Sequence, residues 1–330
     1  MEILKNDAIN DFFNRCLENI DKSELINSYI GLDISQINKS ELLAEMREIG
    51  YQIDNLYLSI DDYCRSPYHK NIRLDKIKAA DMEYDFELLA KDILINVGLV
   101  QDDPNKELND TLILKAYDKR YKTTILKQNG EYWMSDTPQE AITIDPFAKK
   151  AYGKTLTFGL GIGYFPYMAS LNTEVEEITI VERSQELIEA FRENILPQFN
   201  TDKKITIING DAYDYFNDDF LKDYDYVFVD IHKSIDDGFE HMVNLLDQAN
   251  PRNYDFWIED NCLDQMKVLI FLYFYDLYFG YEYIHNDKFI NGIFNKIERY
   301  FAKIDEVCDV ERVKYYIYSK EVKRGILTST

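Results

Sequence analysis

Short apolar runs, each closed by glycine or an acid, recur through the middle of this chain. Thr155–Phe158 leads into Gly159, and Ile178–Val181 ends on Glu182. Ile205–Ile208 is followed by Asn209, Gly210 and Asp211, and the apolar-cored Tyr224–Val229 runs into Asp230. Runs of this length, rich in β-branched and aromatic residues, are too short for helices and predict strands covered on both faces. Between the second and third runs, Leu187, Ile188, Phe191 and Ile195 fall on one face of a helix that Ser184 can cap. Residues 236–246 give a helix after the fourth run, and Tyr254–Glu259 a fifth strand. The acids at 182, 211 and 230 lie 29 and 19 residues apart, each interval holding one helix and its loops. Such β-α-β repetition builds a parallel sheet whose strand tips share one edge, where ligands bind.

The flanks read differently. Residues 121–136 form a hairpin, with Asn129-Gly130 between two β-prone runs as its turn. Thr137-Pro-Gln-Glu140 follows, then a short helical approach, 146–152. Residues 1–115 read as helical and mostly polar. Ser40 is an N-cap candidate for Glu41–Ile49, with Leu42, Leu43, Met46 and Ile49 on one face. A second helix is expected over Asp85–Val100, from Phe86, Leu88, Leu89, Ile93 and Leu94. Residues 64–69 read as a turn with His69 at the surface. The most apolar stretch, 267–284, carries Asp276 and Glu282 and predicts a buried helix rather than a membrane span. A helix over 286–303 and a late antiparallel edge strand over 312–319 complete the pattern. The expected division is a helical region 1–116, a hairpin and connector 117–145, and a nucleotide-binding domain 146–330.

Charge narrows the partners. With 37 basic and 60 acidic residues, net −23, the chain offers no basic stripe for nucleic-acid phosphate. The same excess of acid suits a cationic small molecule such as an amine, although solubility alone also accounts for it. Cys16, Cys64, Cys262 and Cys308 are far apart with no C-x-x-C, which points to reduced thiols rather than zinc or disulfides. The N-terminal residues do not read as a signal peptide, so the expected location is cytoplasmic, with no membrane partner. A homodimer is left open.

The glycines select among nucleotide ligands. A dinucleotide loop, G-x-G-x-x-G, would need glycine or alanine at 164, where Tyr164 stands. Gly159-Leu-Gly161-Ile-Gly163 instead resembles the loop of class I S-adenosylmethionine (SAM)-dependent methyltransferases. That resemblance implies a Rossmann-like α/β fold with SAM as cofactor. It implies a cofactor site of Gly159, Gly161, Gly163, Glu182 toward the ribose, Asp211 and Ala212 toward the adenine, and Asp230 beside the methionine group. An ordinary strand-to-helix turn is the alternative for the loop alone.

A hairpin, polar turn and helix ahead of the glycine loop are also similar to the spermidine synthase group of that superfamily. This resemblance, over about residues 120–232, implies that Gln139 and Glu140 face the substrate or cofactor. The chain departs from that group in its uncharged loop and in Asp230-Ile-His-Lys-Ser after the fourth strand. Asp230 with Asp260-Asn261 resembles the magnesium ligands of catechol-type O-methyltransferases, which would make a metal site; the expectation is nonetheless no metal. Asp230 and His232 are the candidate catalytic residues, His232 as a base. The leading expectation is SAM-dependent methyl transfer to a small molecule. The alternatives are aminopropyl transfer from decarboxylated SAM and a non-catalytic SAM-binding protein.

Overall fold

The structure is a computed structural model that describes residues 1–51, 55–77, 82–101, 103, 105, 107–109, 111–128, 130–281 and 286–329. Its central element is a sheet of five parallel strands. In chain order the elements that shape it are β1 (Met82–Leu89), β2 (Tyr121–Gln128), β3 (Glu131–Ser135), α1 (Pro138–Lys150), β4 (Gly153–Phe158), α2 (Tyr164–Ser170), β5 (Val175–Glu182), α3 (Gln185–Ala190), β6 (Lys204–Asn209), β7 (Tyr226–Val229), α4 (Ile235–Leu246) and β8 (Tyr254–Phe256). The five strands lie in the order β6-β5-β4-β7-β8. The chain therefore builds outward from β4 on one side, then returns to start β7 against β4 on the other. That reversal puts the tips of β4 and β7 side by side, the usual place for a ligand crevice in an open α/β sheet.

Register explains why the apolar runs are continuous. Thr157 pairs with Ile180 and Phe228, and Phe158 with Val181 and Val229. Alternate residues thus feed opposite faces, and both faces are covered. On one, Phe165 stacks on Phe228 at 4.3 Å, within a core that includes Ile144, Ile178, Ile180, Ile188 and Phe191. On the other, Phe216 packs on Phe158 at 5.5 Å and on Phe256 at 6.4 Å. Strands β1, β2 and β3 form a separate antiparallel sheet in the order β1-β2-β3. The hairpin is present, although Asn129 lies outside the described residues.

Contacts divide the chain into two units, one of residues 1–54, 98–114 and 259–330, the other of 55–97 and 115–258. This partition differs from the three consecutive segments expected from sequence. In the first unit, Glu2–Ile3 pairs in parallel with Val307–Cys308, and the Phe13 ring on helix Asp7–Ser23 meets Phe271 and Tyr278. The residues after 258 thus pack with the N-terminal residues. They form α5 (Asp264–Phe279), α6 (Lys288–Ala302), α7 (Val310–Tyr318) and α8 (Lys320–Leu327). Among the described residues, no helix is long and apolar enough to cross a membrane.

Several elements differ from the sequence expectation. The helix expected over 85–100 is two strands, β1 and Ile95–Gln101, separated where Asp92 takes φ 63°, a left-handed conformation no helix continues through. Pairing of β1 with β2 overrides the helical spacing of Phe86, Leu89 and Ile93. The edge strand expected over 312–319 is helix α7. Asp309 caps it by accepting from the Arg312 amide at 2.9 Å, and Val313, Tyr316 and Ile317 are buried at helical spacing. Asn38, not Ser40, caps helix Lys39–Glu48. The fifth strand stops at Phe256, because Ile258 has φ 46°. His69 lies on a short helix, Pro67–Asn71, half-buried, with Nε2 2.7 Å from Tyr121 Oη.

Because Phe228 joins the sheet to α2 through a stacked pair, Phe228→Ala should lower stability by about 3–5 kcal/mol, the range for emptying a buried aromatic site. Urea unfolding followed by fluorescence checks this, and a loss under about 1 kcal/mol contradicts the packing described.

Candidate functional site

The site is built at the β4–β7 edge. Strand β4 ends at Phe158, and Gly159 turns with φ 91°. A side chain there would place Cβ 1.9 Å from the Asp230 carbonyl oxygen, so only glycine lets the two strand tips approach. Gly163, at φ 77°, caps α2, and a Cβ on it would strike the Phe191 ring. Glu182, at the tip of β5, holds the loop. Its Oε2 accepts from the Leu160 amide at 3.0 Å and its Oε1 from the Ser184 amide at 2.8 Å. Tyr68 Oη donates to the Ile162 carbonyl at 2.6 Å from the opposite side.

Two adjoining cavities open here. The first is lined by Gly159, Gly161, Glu182, Gly210, Asp211, Ala212, Tyr213 and His241, among others. The second is lined by Tyr132, Ser135, Asp136, Glu140, Ile144, Tyr164, Phe165 and Trp257. They share Trp133 and Met134 from the hairpin, the start of the glycine loop, and Asp230, His232 and Lys233 after β7. Asp211 caps a short helix by accepting from the Tyr213 amide at 3.0 Å. Tyr213 Oη lies 2.8 Å from His241 Nδ1. Trp257 is set by donating Nε1–H to Thr143 Oγ1 at 2.9 Å.

The electrostatics are unusual for a strand edge. Burial first, and then the nearby Glu140 and Glu182, push the Asp230 carboxyl up to about 8. Burial pushes Glu140 up to about 7. Burial pulls His232 down to about 4, so its ring is neutral at physiological pH. His232 is 6% exposed, its ring lies 5.2 Å from that of Trp257, and a backbone hydrogen bond with Trp257 partly offsets the effect of burial. Asp136, 7% exposed, accepts from Tyr63 Oη, and its Oδ2 lies 3.7 Å from His69 Nδ1.

Of the residues singled out from sequence, Gly159, Gly161, Glu182, Asp211, Ala212, Asp230, His232 and Glu140 line the two cavities. Gly163 shapes the loop behind them, and Gln139 lines neither cavity. Asp260 and Asn261 sit on the short helix Glu259–Cys262, in the other unit from Asp230. Asp260 Oδ1 pairs with Lys320 Nζ at 2.9 Å. Among the described residues, no three His, Cys, Asp or Glu side chains gather as a metal-ligand group. Sequence reading missed Tyr68, Trp133, Asp136, Tyr213, His241 and Trp257. Asp136, beside the Thr137-Pro-Gln-Glu turn, carried the nearest signal. Tyr68 is brought to the loop by the fold alone.

No protein-family model matches this sequence, and no curated protein matches it. Among solved structures the chain is similar to spermidine synthase from Thermotoga maritima, at 16% identity over 39% of this chain and 47% of that one, with TM-score 0.28. It is similar to a protein from Streptococcus mutans that carries the description SAM-dependent methyltransferase, at 11% identity over 46% and 50%, TM-score 0.28. Shikimate dehydrogenase from Mycobacterium tuberculosis is also similar, at 16% over 38% and 45%, TM-score 0.23. The chain spans about half the length of these structures. At such scores the likeness adds nothing to what the strand order already shows, a mixed α/β chain with a parallel five-stranded sheet.

Asp230 and Glu140 hold protons in the fold that they would release when unfolded, so the folded state binds more protons between the unfolded carboxyl range and these raised values. The stability this pair contributes should therefore be full below about pH 4 and be lost as pH rises toward about 8. Asp230→Asn should flatten that fall and melt higher than the parent at the alkaline end. Thermal melts across this window check it; an unchanged slope contradicts the burial assigned to Asp230.

Proposed function

We propose that this protein is a SAM-dependent transferase that moves a methyl group to a small molecule, with the first cavity holding the adenosyl moiety and the second the acceptor. The observation that carries the reading is the shared wall. One strand tip, Asp230–Lys233, borders both cavities, so a donor in one and an acceptor in the other would meet there.

The residues present fit the cofactor. Glu182 spends one lone pair on each oxygen for the Leu160 and Ser184 amides, leaving each oxygen able to accept from a ribose hydroxyl. The Asp211 carboxylate faces the first cavity, with Tyr213 and His241 offering ring surfaces beside it. Tyr164 occupies the position where a dinucleotide loop needs glycine. When bound, SAM would supply an electrophilic methyl on sulfonium, whose carbon–sulfur bond breaks as the acceptor bond forms. The protein's part is then alignment and exclusion of water. Trp133 and Met134 close the site from the hairpin, while Asp230 and His232 stand at the junction. His232, neutral, is suited to accepting a hydrogen bond there; with its basicity lowered by burial it is a poor general base.

Aminopropyl transfer from decarboxylated SAM is a second reading, favoured by one observation: Asp136, Glu140 and Asp230 all line the second cavity. The Gly-Leu-Gly-Ile-Gly loop, free of acids, favours intact SAM, whose carboxylate an acidic loop would repel. A SAM-binding protein without turnover would share the first cavity alone. We place the protein in the cytoplasm with its thiols reduced and assign it no nucleic-acid partner.

Calorimetry should register binding of SAM and S-adenosylhomocysteine, with NAD unable to compete. Asp211→Ala should weaken both adenosyl ligands by about 1–3 kcal/mol, as loss of a hydrogen bond to a buried ligand group does. NAD binding without SAM binding would sink the proposal. Methyl transfer should persist in chelator, since Asp260 is engaged by Lys320; activity abolished by chelation would restore the magnesium reading. A radiolabelled aminopropyl group appearing on the product would decide for the second reading.

A further inference from the structure

The glycine loop owes its path to hydrogen bonds, because its own backbone does not select one. Gly161 and Gly163, at φ 53° and 77°, flank Ile162. Glycine takes either sign of φ with little cost, so the peptide plane joining Ile162 to Gly163 is free to flip unless something holds it. It is held at both ends. The Gly163 amide donates back to the Leu160 carbonyl at 2.9 Å, and Leu160 is in turn held through its own amide by Glu182. At the other end, the Ile162 carbonyl accepts from Tyr68 Oη at 2.6 Å.

Tyr68 is itself held firmly. Its ring packs against Tyr164 at 4.8 Å and Tyr167 at 5.6 Å. It is carried by the helix Pro67–Asn71, which Ser66 Oγ caps by accepting from the His69 amide at 3.3 Å. At the end of that helix, Asn71 Nδ2 donates to Tyr167 Oη at 2.8 Å. Burial holds the Tyr68 hydroxyl well above the ordinary tyrosine range, so it stays protonated and remains a donor. Tyr68 and Ile162 are both buried, and a carbonyl there that lost its donor would be left unsatisfied. All of these residues belong to one unit of the chain.

We propose that Tyr68 is a positioning residue of the adenosyl site: its hydroxyl selects the orientation of the Ile162–Gly163 peptide, and through it the path of the loop against which the cofactor lies. The proposal rests on the adenosyl reading of the first cavity, whose wall includes Gly159, Leu160 and Gly161. Tyr68 lines neither cavity, so its effect on binding passes through the loop. A loop already set spares the ligand the cost of ordering it, whereas a loop whose peptide flips must be ordered on binding. The residue that sets the loop thus stands 94 positions before Ile162, outside the β-α-β unit that contains the loop.

Calorimetry with S-adenosylhomocysteine on the 330-residue chain compares the parent with Tyr68→Phe and Tyr167→Phe. Each variant loses one hydroxyl from the same tyrosine cluster, but Tyr167 Oη bonds Asn71 and lies 3.5 Å from the Pro67 carbonyl, away from the loop. Tyr68→Phe should bind the ligand about tenfold more weakly, and Tyr167→Phe within about twofold of the parent. A purely structural role would weaken both in step with their melting temperatures. Hydrogen exchange without ligand, read by mass spectrometry, gives a second arm. Residues 159–164 should exchange at least about fivefold faster in Tyr68→Phe than in the parent or in Tyr167→Phe. If melts show that Tyr68→Phe does not fold, Ser66→Ala replaces it; loss of the cap beneath Tyr68 should weaken binding about threefold. Parent-like affinity in the folded variant, equal weakening by Tyr167→Phe, or unchanged exchange in the loop would each overturn the proposal. A parent that binds no S-adenosylhomocysteine would remove the adenosyl reading, while faster loop exchange in Tyr68→Phe would still uphold its hold on the loop.

Discussion

Everything at this site depends on how closely two strand tips approach. The backbone of Gly159 packs against the carbonyl of Asp230 so tightly that no Cβ fits between them. That contact lets β4 and β7 run as neighbours to their ends, with the Asp230 amide donating to the Phe158 carbonyl at 2.8 Å. The glycine loop then has to leave sideways, and Glu182 fixes where it goes by holding the Leu160 amide. A looser loop would separate the two cavities; this one gives them a common wall.

The second cavity is lined by acids, and that is the second organising fact. Acids at strand ends are common because they cap the following helices, as Asp211 does here. Asp230 and Glu140 do not cap: they sit where water is scarce, and Glu140 adds to the cost of ionising Asp230. Groups held this far from their ordinary behaviour cluster at functional sites, since a stable fold gains nothing from them. The neutral ring of His232 beside them fits the same pattern.

The sheet and most of the first cavity were legible in sequence because local signals and tertiary role agree there. Four apolar runs ending on Gly159, Glu182, Gly210 and Asp230 can only be strands with their tips on one edge. Elsewhere local pattern and tertiary role conflict. Phe86, Leu89 and Ile93 are spaced as on a helix, yet pairing with Tyr121–Gln128 makes Met82–Leu89 a strand. The β-branched and aromatic run 312–319 looked like a strand until the cap from Asp309 is considered. Tyr68 and Trp257 reach the site through long-range packing, which no local window contains.

The central claim, an adenosyl site sharing a wall with an acceptor site, is tested most directly by a crystal structure with S-adenosylhomocysteine. The account places the ribose hydroxyls on Glu182, the adenine beside Asp211 and Tyr213, and the sulfur toward Asp230 where the second cavity opens. A ligand bound away from the Gly159–Gly163 loop, or one whose sulfur faces away from Asp230 and the second cavity, would contradict it.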